Sequence, residues 1–288
     1  MKTLRLDLLR LARSLAAFLL LCLVAGCGGG GEEPMLRLET DERPPVEFGV
    51  FPFLESGQLE AALAPLTAYL SARLGRDVRI RVVADYTDLE RLVRQRRVDI
   101  GWFAPRSRAG GAEGVMLPVC RPKTSAGSYH GVIVTRRDSG IRHLDDLASR
   151  SFAYVDRGSK SGFFEPNRVL VRAGIDPLRF FGRISWAGNH EKALQGVLDG
   201  RWDAAAVTSL VLRPGVSGDL DRLIVIATTP PILTDPIVVR DGRTDLGSDT
   251  VKGLLLGISS DEAGRKAIAS LSVSLGIFGF EPVAEVER

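Results

Sequence analysis

The sequence contains little cysteine, histidine, methionine or tryptophan, with three residues of each type among 288. Cysteine this scarce excludes a disulfide-rich scaffold. No His-x3-His or Cys-x2-Cys spacing occurs, so we predict no metal site and no cofactor. A Gly-x-Ser-x-Gly nucleophile elbow is also absent, and no catalytic constellation is recognisable, so we expect a protein that is not an enzyme.

A long apolar run is missing as well. The basic segment from Lys2 to Arg13 is followed by an apolar stretch of only about a dozen residues, from Ser14 to Ala25, which is too short to span a membrane. This layout is typical of a secretory leader. Its end, Leu23-Val24-Ala25-Gly26-Cys27, resembles the bacterial lipobox, which implies acylation of Cys27. We predict a signal peptide at 1–26, a lipidated flexible tether at 27–45, and an extracytoplasmic location, in the periplasm or at the outer cell surface, on a membrane anchor.

Without the leader, the chain has no excess of positive or negative charge. The leader carries four of the 38 Lys and Arg residues and one of the 35 Asp and Glu residues, which leaves 34 of each. A balanced chain lacks the basic surface of a nucleic-acid binder, so we predict no nucleic-acid partner, and we expect a monomer.

Cys120 is alone, because Cys22 would leave with the leader and Cys27 would be acylated. No intramolecular disulfide is then possible. A solitary cysteine of this kind acts either as a small buried hydrophobe or as a reactive thiol, and the second role requires exposure and a lowered pKa.

Short β-branched runs alternate with helical stretches from Val46 onward. Strands are predicted at 46–50, 78–83, 98–103, 115–119, 131–135, 151–155, 183–186, 203–207, 222–227 and 236–239. Helices are predicted at 58–74, 87–96, 162–173, 191–198 and, in two parts with a cap at Ser260-Asp261, over 249–275. The alternation is typical of βαβ units with a parallel sheet. Two such series joined by two extended crossings predict two lobes, 46–123 with 236–288 and 124–235.

Two polar turns connect predicted strands to predicted helices. The first, at 155–164, contains Gly158, Ser159, Ser161 and Gly162, and the second, at 186–191, contains His190. Hydroxyl groups and free backbone N–H groups at a helix N-terminus favour an anion. Because ligands bind outside the carboxyl ends of strands in open α/β sheets, both turns are expected at one crevice. Serine near a helix start is also a common cap, and a single histidine is often structural.

The order of several motifs resembles the phosphonate-binding proteins of ABC transporters, within the type II periplasmic-binding superfamily. These motifs, between Val46 and Phe280, are Asp85-Tyr86, Val98-Asp99-Ile100-Gly101-Trp102, Ser128-Tyr129, Arg137-Asp138-Ser139-Gly140-Ile141, Leu144-Asp145-Asp146-Leu147, Gly158 to Gly162, Ala187 to Glu191 and Thr234-Asp235-Pro236-Ile237-Val238. The resemblance implies an α/β fold with two βα sandwiches joined by two crossing strands. It also implies that Ser159, Ser161 and His190 hold phosphorus oxygens, while Tyr86 and Tyr129 contact the ligand.

Three further positions bear on ligand choice. Asp235 is an acceptor for a ligand amine, an oxyanion hydroxyl or a backbone donor. Lys160 stands where the family usually has threonine, and it either binds a more highly charged oxyanion or points into solvent. Leu210 stands where members that capture aminoalkylphosphonates carry a carboxylate, so we expect a ligand without an amine.

These features predict a solute-binding lipoprotein of an ABC importer that captures phosphite, phosphate or an alkylphosphonate and delivers it to a membrane permease. A ligand-binding partner of a membrane sensor kinase would use the same capture chemistry, and a biosynthetic enzyme on the same fold is the third alternative.

Overall fold

The computed structural model describes residues 43–103, 115–125, 127–212 and 219–283. The predicted leader, Cys27 and most of the predicted tether lie outside those ranges, so their interpretation stays a prediction. Within the described ranges, no helix is both long enough and apolar enough to cross a bilayer.

The described residues form thirteen strands. In chain order they are β1 (Val46–Val50), β2 (Val78–Val82), β3 (Ile100–Trp102), β4 (Met116–Thr124), β5 (Ser128–Tyr129), β6 (Gly131–Arg136), β7 (Ser151–Tyr154), β8 (Arg183–Trp186), β9 (Ala204–Thr208), β10 (Leu223–Thr228), β11 (Ile232–Leu233), β12 (Ile237–Arg240) and β13 (Ile277–Glu281). The α-helices in the same ranges are α1 (Ser56–Leu74), α2 (Tyr86–Arg94), α3 (Glu165–Arg172), α4 (Pro177–Phe180), α5 (His190–Leu198), α6 (Ser248–Leu256) and α7 (Glu262–Leu275).

The strands assemble into two large sheets and a small connecting one. The first large sheet has the order β13-β4-β12-β3-β1-β2, and the second has the order β10-β6-β9-β7-β8. The short strands β5 and β11 pair with each other where the chain passes between the two sheets. The predicted two-lobe α/β fold with two crossing segments is confirmed.

The expectation of parallel sheets is only partly correct. Strand β1 pairs in parallel with β2 and β3, and β7 pairs in parallel with β8 and β9. The remaining pairs of both large sheets are antiparallel, including β12 with β3 and β6 with β9. In the first sheet, the antiparallel pairs of β12 follow from the path of the chain. Strand β12 returns from the second lobe and enters between β3 and β4 in the opposite direction.

Strand β4 is longer than its sequence pattern indicates. The sequence predicts a strand only at 115–119, but β4 continues to Thr124, and Pro122 lies opposite Phe280 of β13. Strand β13 itself was not predicted, and it supplies the partner for the end of β4. Cys120 is fully buried on β4, and burial raises the pKa of its thiol to about 12, so the structure supports its role as a small buried hydrophobe.

Helix α1 and the boundary between the last two helices agree with the sequence pattern. Helix α1 buries Leu59, Leu63, Leu66 and Leu70 and ends at Gly75, whose φ of 58° lies in the left-handed region that glycine adopts easily. The cap predicted between the last two helices is also present, since the Asp261 carboxylate accepts a hydrogen bond from the Gly264 N–H at 2.9 Å. These helices cover the sheets and leave the carboxyl ends of β1, β3, β7 and β9 facing the space between the lobes.

Candidate ligand-binding cleft

One cavity between the lobes is lined by every residue predicted to contact a ligand. These residues are Tyr86, Tyr129, Ser159, Lys160, Ser161, His190 and Asp235. The cavity has a volume of about 110 Å³. Because pockets for drug-sized ligands measure roughly 300 to 1,000 Å³, this one suits a smaller molecule.

The turn after β7 supplies three of these side chains. It begins with Asp156, whose side chain accepts a hydrogen bond from the Gly158 N–H at 2.5 Å, and continues as a π-helical turn at Lys160–Phe164. The sequence pattern predicted a regular helix from Gly162. In the wider turn the Glu165 N–H donates to the Lys160 carbonyl, and the Val155 N–H donates to the Gly162 carbonyl at 3.1 Å, which connects the turn to the end of the strand. π turns of this kind are frequent at functional sites.

Ser159 caps this turn and is almost fully buried. Its hydroxyl oxygen accepts a hydrogen bond from the Gly162 N–H at 2.9 Å, so the capping role anticipated from the sequence is present. The hydroxyl hydrogen is not consumed by that bond. Helix geometry also leaves the first N–H groups, those of Lys160 and Ser161, without intrahelical acceptors. The turn therefore places several hydrogen-bond donors on the wall of the cavity.

His190 begins α5 and is buried at the floor of the cavity. Its Nδ1 accepts a hydrogen bond from the Thr208 N–H at 2.9 Å, so the proton of the neutral ring lies on Nε2. Burial lowers the pKa of the ring to about 3, which keeps it neutral at physiological pH. The Nε2 atom lies 3.5 Å from the Ser161 hydroxyl oxygen. His190 is therefore a fixed neutral donor beside Ser161.

Tyr129 completes the donor group from the crossing strand β5. Its side chain lines the cavity beside Ser161. Burial, followed by the nearby charge of Asp235, raises the pKa of Tyr129 well above its ordinary value, so the hydroxyl stays protonated. Protonated tyrosine, serine and neutral histidine together present donors without adding a net charge.

Lys160 forms an ion pair that the sequence did not predict. Its Nζ atom lies 2.7 Å from the Asp235 Oδ1 atom. The backbone carbonyl of Asp235 accepts a hydrogen bond from Trp102 Nε1 at 3.0 Å, which fixes the main chain at this position. Asp235, for which a ligand amine, an oxyanion hydroxyl or a backbone donor was predicted as partner, thus forms an ion pair with a side chain of the same protein.

The first lobe contributes an aromatic wall of which the sequence predicted only Tyr86 as a ligand contact. Phe51 stacks on Tyr86 with a centroid distance of 4.7 Å, and Phe53 packs edge-on against Trp102 at 5.1 Å. All four line the cavity, together with Phe103. Phe51 and Phe53 directly follow the end of β1, so the rule that places ligands at the carboxyl ends of strands would have found them. This wall is apolar, while the opposite side carries the donors.

The two lobes also touch at the mouth of the cleft. Asn189 donates its side-chain amide to Glu55 at 2.7 Å, and the Glu55 N–H donates to the Glu191 carboxylate at 3.0 Å. Lys192 lies 3.2 Å from Glu55, and the hydrogen bonds from Asn189 and then Lys192 lower the pKa of the Glu55 carboxyl. These contacts join the start of α1 to the start of α5 and hold the lobes around the cavity.

Comparison with known proteins agrees with this geometry. A family profile described as the periplasmic substrate-binding protein of a phosphonate ABC transporter matches residues 48–286. The phosphate-import protein PhnD of Mycolicibacterium smegmatis is 26% identical over 194 residues, which are 63% of this chain and 60% of that protein. The phosphonates-binding periplasmic protein of Escherichia coli is 24% identical over 221 residues, which are 73% of this chain and 65% of that protein. The chain thus spans less than two thirds of the length of these two curated relatives.

Solved structures show the same fold. A binding-protein component of an ABC phosphonate transporter from Pseudomonas aeruginosa superposes with a TM-score of 0.75 at 21% identity and covers 85% of this chain and 83% of its own. A protein from Prochlorococcus marinus in complex with methylphosphonate superposes with a TM-score of 0.72 at 16% identity and covers 84% and 93%. The proteins of the matched family are transport components and not enzymes. Since the profile match covers most of the sequence, the chain belongs to the family of periplasmic substrate-binding proteins of phosphonate ABC transporters.

Proposed function

We propose that the chain captures a small phosphorus oxyanion, namely phosphite, phosphate or a short alkylphosphonate, and delivers it to an ABC permease. The observation that carries the proposal is the buried group of neutral donors formed by Ser159, Ser161 and His190 at two helix starts. A tetrahedral oxyanion accepts hydrogen bonds on several oxygens, and charge-assisted bonds of this type are strong in a dry site. The curated relatives are named for phosphate, phosphonate and phosphite, which share this chemistry.

The division of the cavity into two sides supports the same ligand class. Donors from the second lobe and from Tyr129 suit the phosphorus oxygens, while the aromatic wall of Phe51, Phe53 and Trp102 suits an apolar substituent. Phosphite carries a P–H bond and an alkylphosphonate carries a P–C bond in that position. The Tyr86 hydroxyl, on the same side of the cavity, suits the fourth oxygen of phosphate.

Import requires that the loaded protein stays close to its permease. We propose that acylation of Cys27 anchors the chain outside the cytoplasm and that the segment 27–45 serves as a flexible tether. A tether raises the effective concentration of the protein at the membrane without any new contact. Closure of the lobes around the ligand would then produce the form that the permease recognises.

Ligand-dependent stabilisation tests the proposal. The soluble fragment that starts at Glu32 would be heated with phosphite, phosphate, methylphosphonate, sulfate and arsenate in parallel. A ligand present at 100 times its Kd adds about 2.7 kcal/mol of stability, which corresponds to a rise in Tm of roughly 5 to 10 °C for a chain of this size. Stabilisation by sulfate alone, or by none of the phosphorus compounds, contradicts the proposal.

The donor group is tested by removing one donor at a time. Ser161→Ala and His190→Ala should each weaken binding of the stabilising phosphorus compound by roughly ten- to a hundredfold, because a hydrogen bond to a charged ligand contributes about 1.5 to 3 kcal/mol. Ser272→Ala, on the outer part of α7, serves as a matched control and should leave affinity unchanged. Calorimetry measures all three. Wild-type affinity in both cavity variants would mean that the oxyanion lies elsewhere.

A further inference from the structure

Two opposite charges meet on the wall of the cavity. The Lys160 ammonium lies 2.7 Å from Asp235, and both residues line the space between the lobes. Lys160 comes from the π turn of the second lobe, whereas Asp235 lies in the crossing segment between β11 and β12. The Asp235 side chain is only 12% exposed, so its carboxylate has little access to water. Its charge is compensated by Lys160.

An ammonium on a ligand would compete for the same carboxylate. The ammonium of an aminoalkylphosphonate has the same charge and donor geometry as the lysine Nζ group. Asp235 lines the same cavity as Ser161 and His190, and the volume of that cavity is only about 110 Å³. The carboxylate is therefore near the oxyanion donors. With Lys160 in place, a second ammonium would meet a like charge instead of a free carboxylate.

The rest of the wall offers an amine little compensation. Leu210 lines the cavity after β9, and Phe51, Phe53 and Trp102 line the side formed by the first lobe. A charged amine placed against these groups would lose its water without gaining a partner. Glu90 on α2 is the second carboxylate on the wall, and the experiment below separates it from Asp235.

We propose that Lys160 is a specificity-determining residue whose ammonium occupies Asp235 and thereby excludes phosphonates that carry an amine. This inference rests on the proposed function, because it presumes that the cavity holds a phosphorus oxyanion. Under it, the cavity binds small oxyanions with an apolar or hydrogen substituent and rejects their aminoalkyl counterparts. Lys160 makes this selection without donating to the oxyanion itself.

Exchange of the lysine tests the proposal. Calorimetry would compare methylphosphonate with 2-aminoethylphosphonate on the wild type, on Lys160→Thr and on Lys160→Thr combined with Asp235→Asn. We expect the wild type to favour methylphosphonate by at least about tenfold. Lys160→Thr should bind 2-aminoethylphosphonate at least about tenfold more tightly than the wild type, and it should bind methylphosphonate more weakly, because the uncompensated Asp235 carboxylate repels an oxyanion. The double variant, with Asp235→Asn added, lacks both charges. It should therefore lose the gain for the amine and return methylphosphonate binding to within about threefold of the wild type. Lys266→Thr disrupts an exposed ion pair with Glu262 and controls for the loss of a lysine.

The outcomes separate the two proposals. In one outcome, Lys160→Thr keeps the wild-type preference for methylphosphonate over 2-aminoethylphosphonate; in another, its tighter binding of the amine persists after Asp235→Asn because Glu90 binds the amine. Either result overturns the proposed role of Lys160 and leaves the proposed function intact. A large loss of methylphosphonate binding that persists in the double variant also overturns it, since Lys160 would then bind the oxyanion. If neither the wild type nor the variants bind methylphosphonate, 2-aminoethylphosphonate, phosphite or phosphate, the proposed function fails and this inference with it.

Discussion

At the scale of single residues, His190 illustrates how burial prepares a donor. The ring receives a hydrogen bond from the Thr208 N–H at Nδ1 and is buried, so it remains neutral with its Nε2 proton available. An imidazolium in the same place would bind an anion more strongly but would be costly to bury when the cavity is empty. The neutral form avoids that cost and still donates.

The lowered pKa of His190 makes stability depend on pH. Because the folded-state pKa is about 3 and the unfolded value is 6.5, the unfolded chain binds a proton in this interval that the native protein does not. The contribution of His190 is therefore constant above pH 6.5 and falls as the pH drops, by at most about 1.4 kcal/mol per pH unit, toward pH 3. Urea unfolding at pH 7 and pH 5 should show a smaller loss for His190→Gln than for the wild type. Equal losses in the two proteins would contradict this explanation.

The sequence predicts a site residue well when the end of a strand positions it, and poorly when its position depends on a contact with a distant segment of the chain. Ser159, Ser161 and His190 follow predicted strands, so strand ends alone bring them together. The contact of Lys160 with Asp235 joins positions 75 residues apart on different segments and depends on how the crossing is placed. No local pattern contains that information. The orientation of Lys160 therefore required the structure, although its departure from the family residue was visible beforehand.

At the scale of elements, the turn after β7 must fit closely against α2. A Cβ atom placed on Gly158 would lie 2.3 Å from the Tyr86 Cβ atom, which belongs to the other lobe. This distance is too short for any side chain, and the Tyr86 Cβ cannot rotate away. Glycine at this position thus permits the lobes to approach each other around the cavity.

Gly158→Ala should consequently oppose closure. Overpacking of a close contact costs about 1 to 3 kcal/mol, which would weaken ligand binding by roughly five- to a hundredfold. Unfolding of the unliganded protein should change little, because separation of the lobes relieves the clash. Gly253→Ala is the matched control, since a Cβ there meets nothing within 4 Å. Calorimetry and thermal unfolding together check the result, and unaltered affinity in Gly158→Ala would show that the lobes need not approach this closely.

The contacts of Glu55 with Asn189 and Lys192 also join the two lobes. The ion pair with Lys192 is about half exposed, and an exposed ion pair contributes only about 0 to 1 kcal/mol. This ion pair therefore adds little to the stability of the closed form. Bonds to a bound ligand can then decide which form is populated.

At the scale of the whole molecule, the alternation of strands and helices predicted the two lobes but not the direction of every strand. Hydrophobic patterns locate a strand such as β12 without revealing which neighbours it joins. Strand β13 was missed because its short run, Ile277-Phe278-Gly279-Phe280, follows a helix directly. Sheet order depends on the path of the chain between lobes, and local residue patterns do not record it.

Lipidation of the whole protein has a direct test. In cells that receive labelled fatty acid, the full chain should incorporate the label, and Cys27→Ser should abolish incorporation and leave unprocessed precursor. Cys22→Ser lies in the same leader and should keep both the label and processing, which makes it the matched control. Normal processing or labelling of Cys27→Ser would refute the predicted anchor.

The sheet order also determines the sequence of events during folding. Every strand of the second large sheet lies between residues 131 and 228, whereas the first sheet needs strands from 46–124 and from 237–281. The second lobe can form all its strand pairs from one continuous stretch of chain. The first lobe must bring together strands separated by more than a hundred residues, and the loss of chain entropy on closing that loop makes its folding slower. We therefore expect the lobe that carries the serines and His190 to complete its strand pairs before the lobe that covers them.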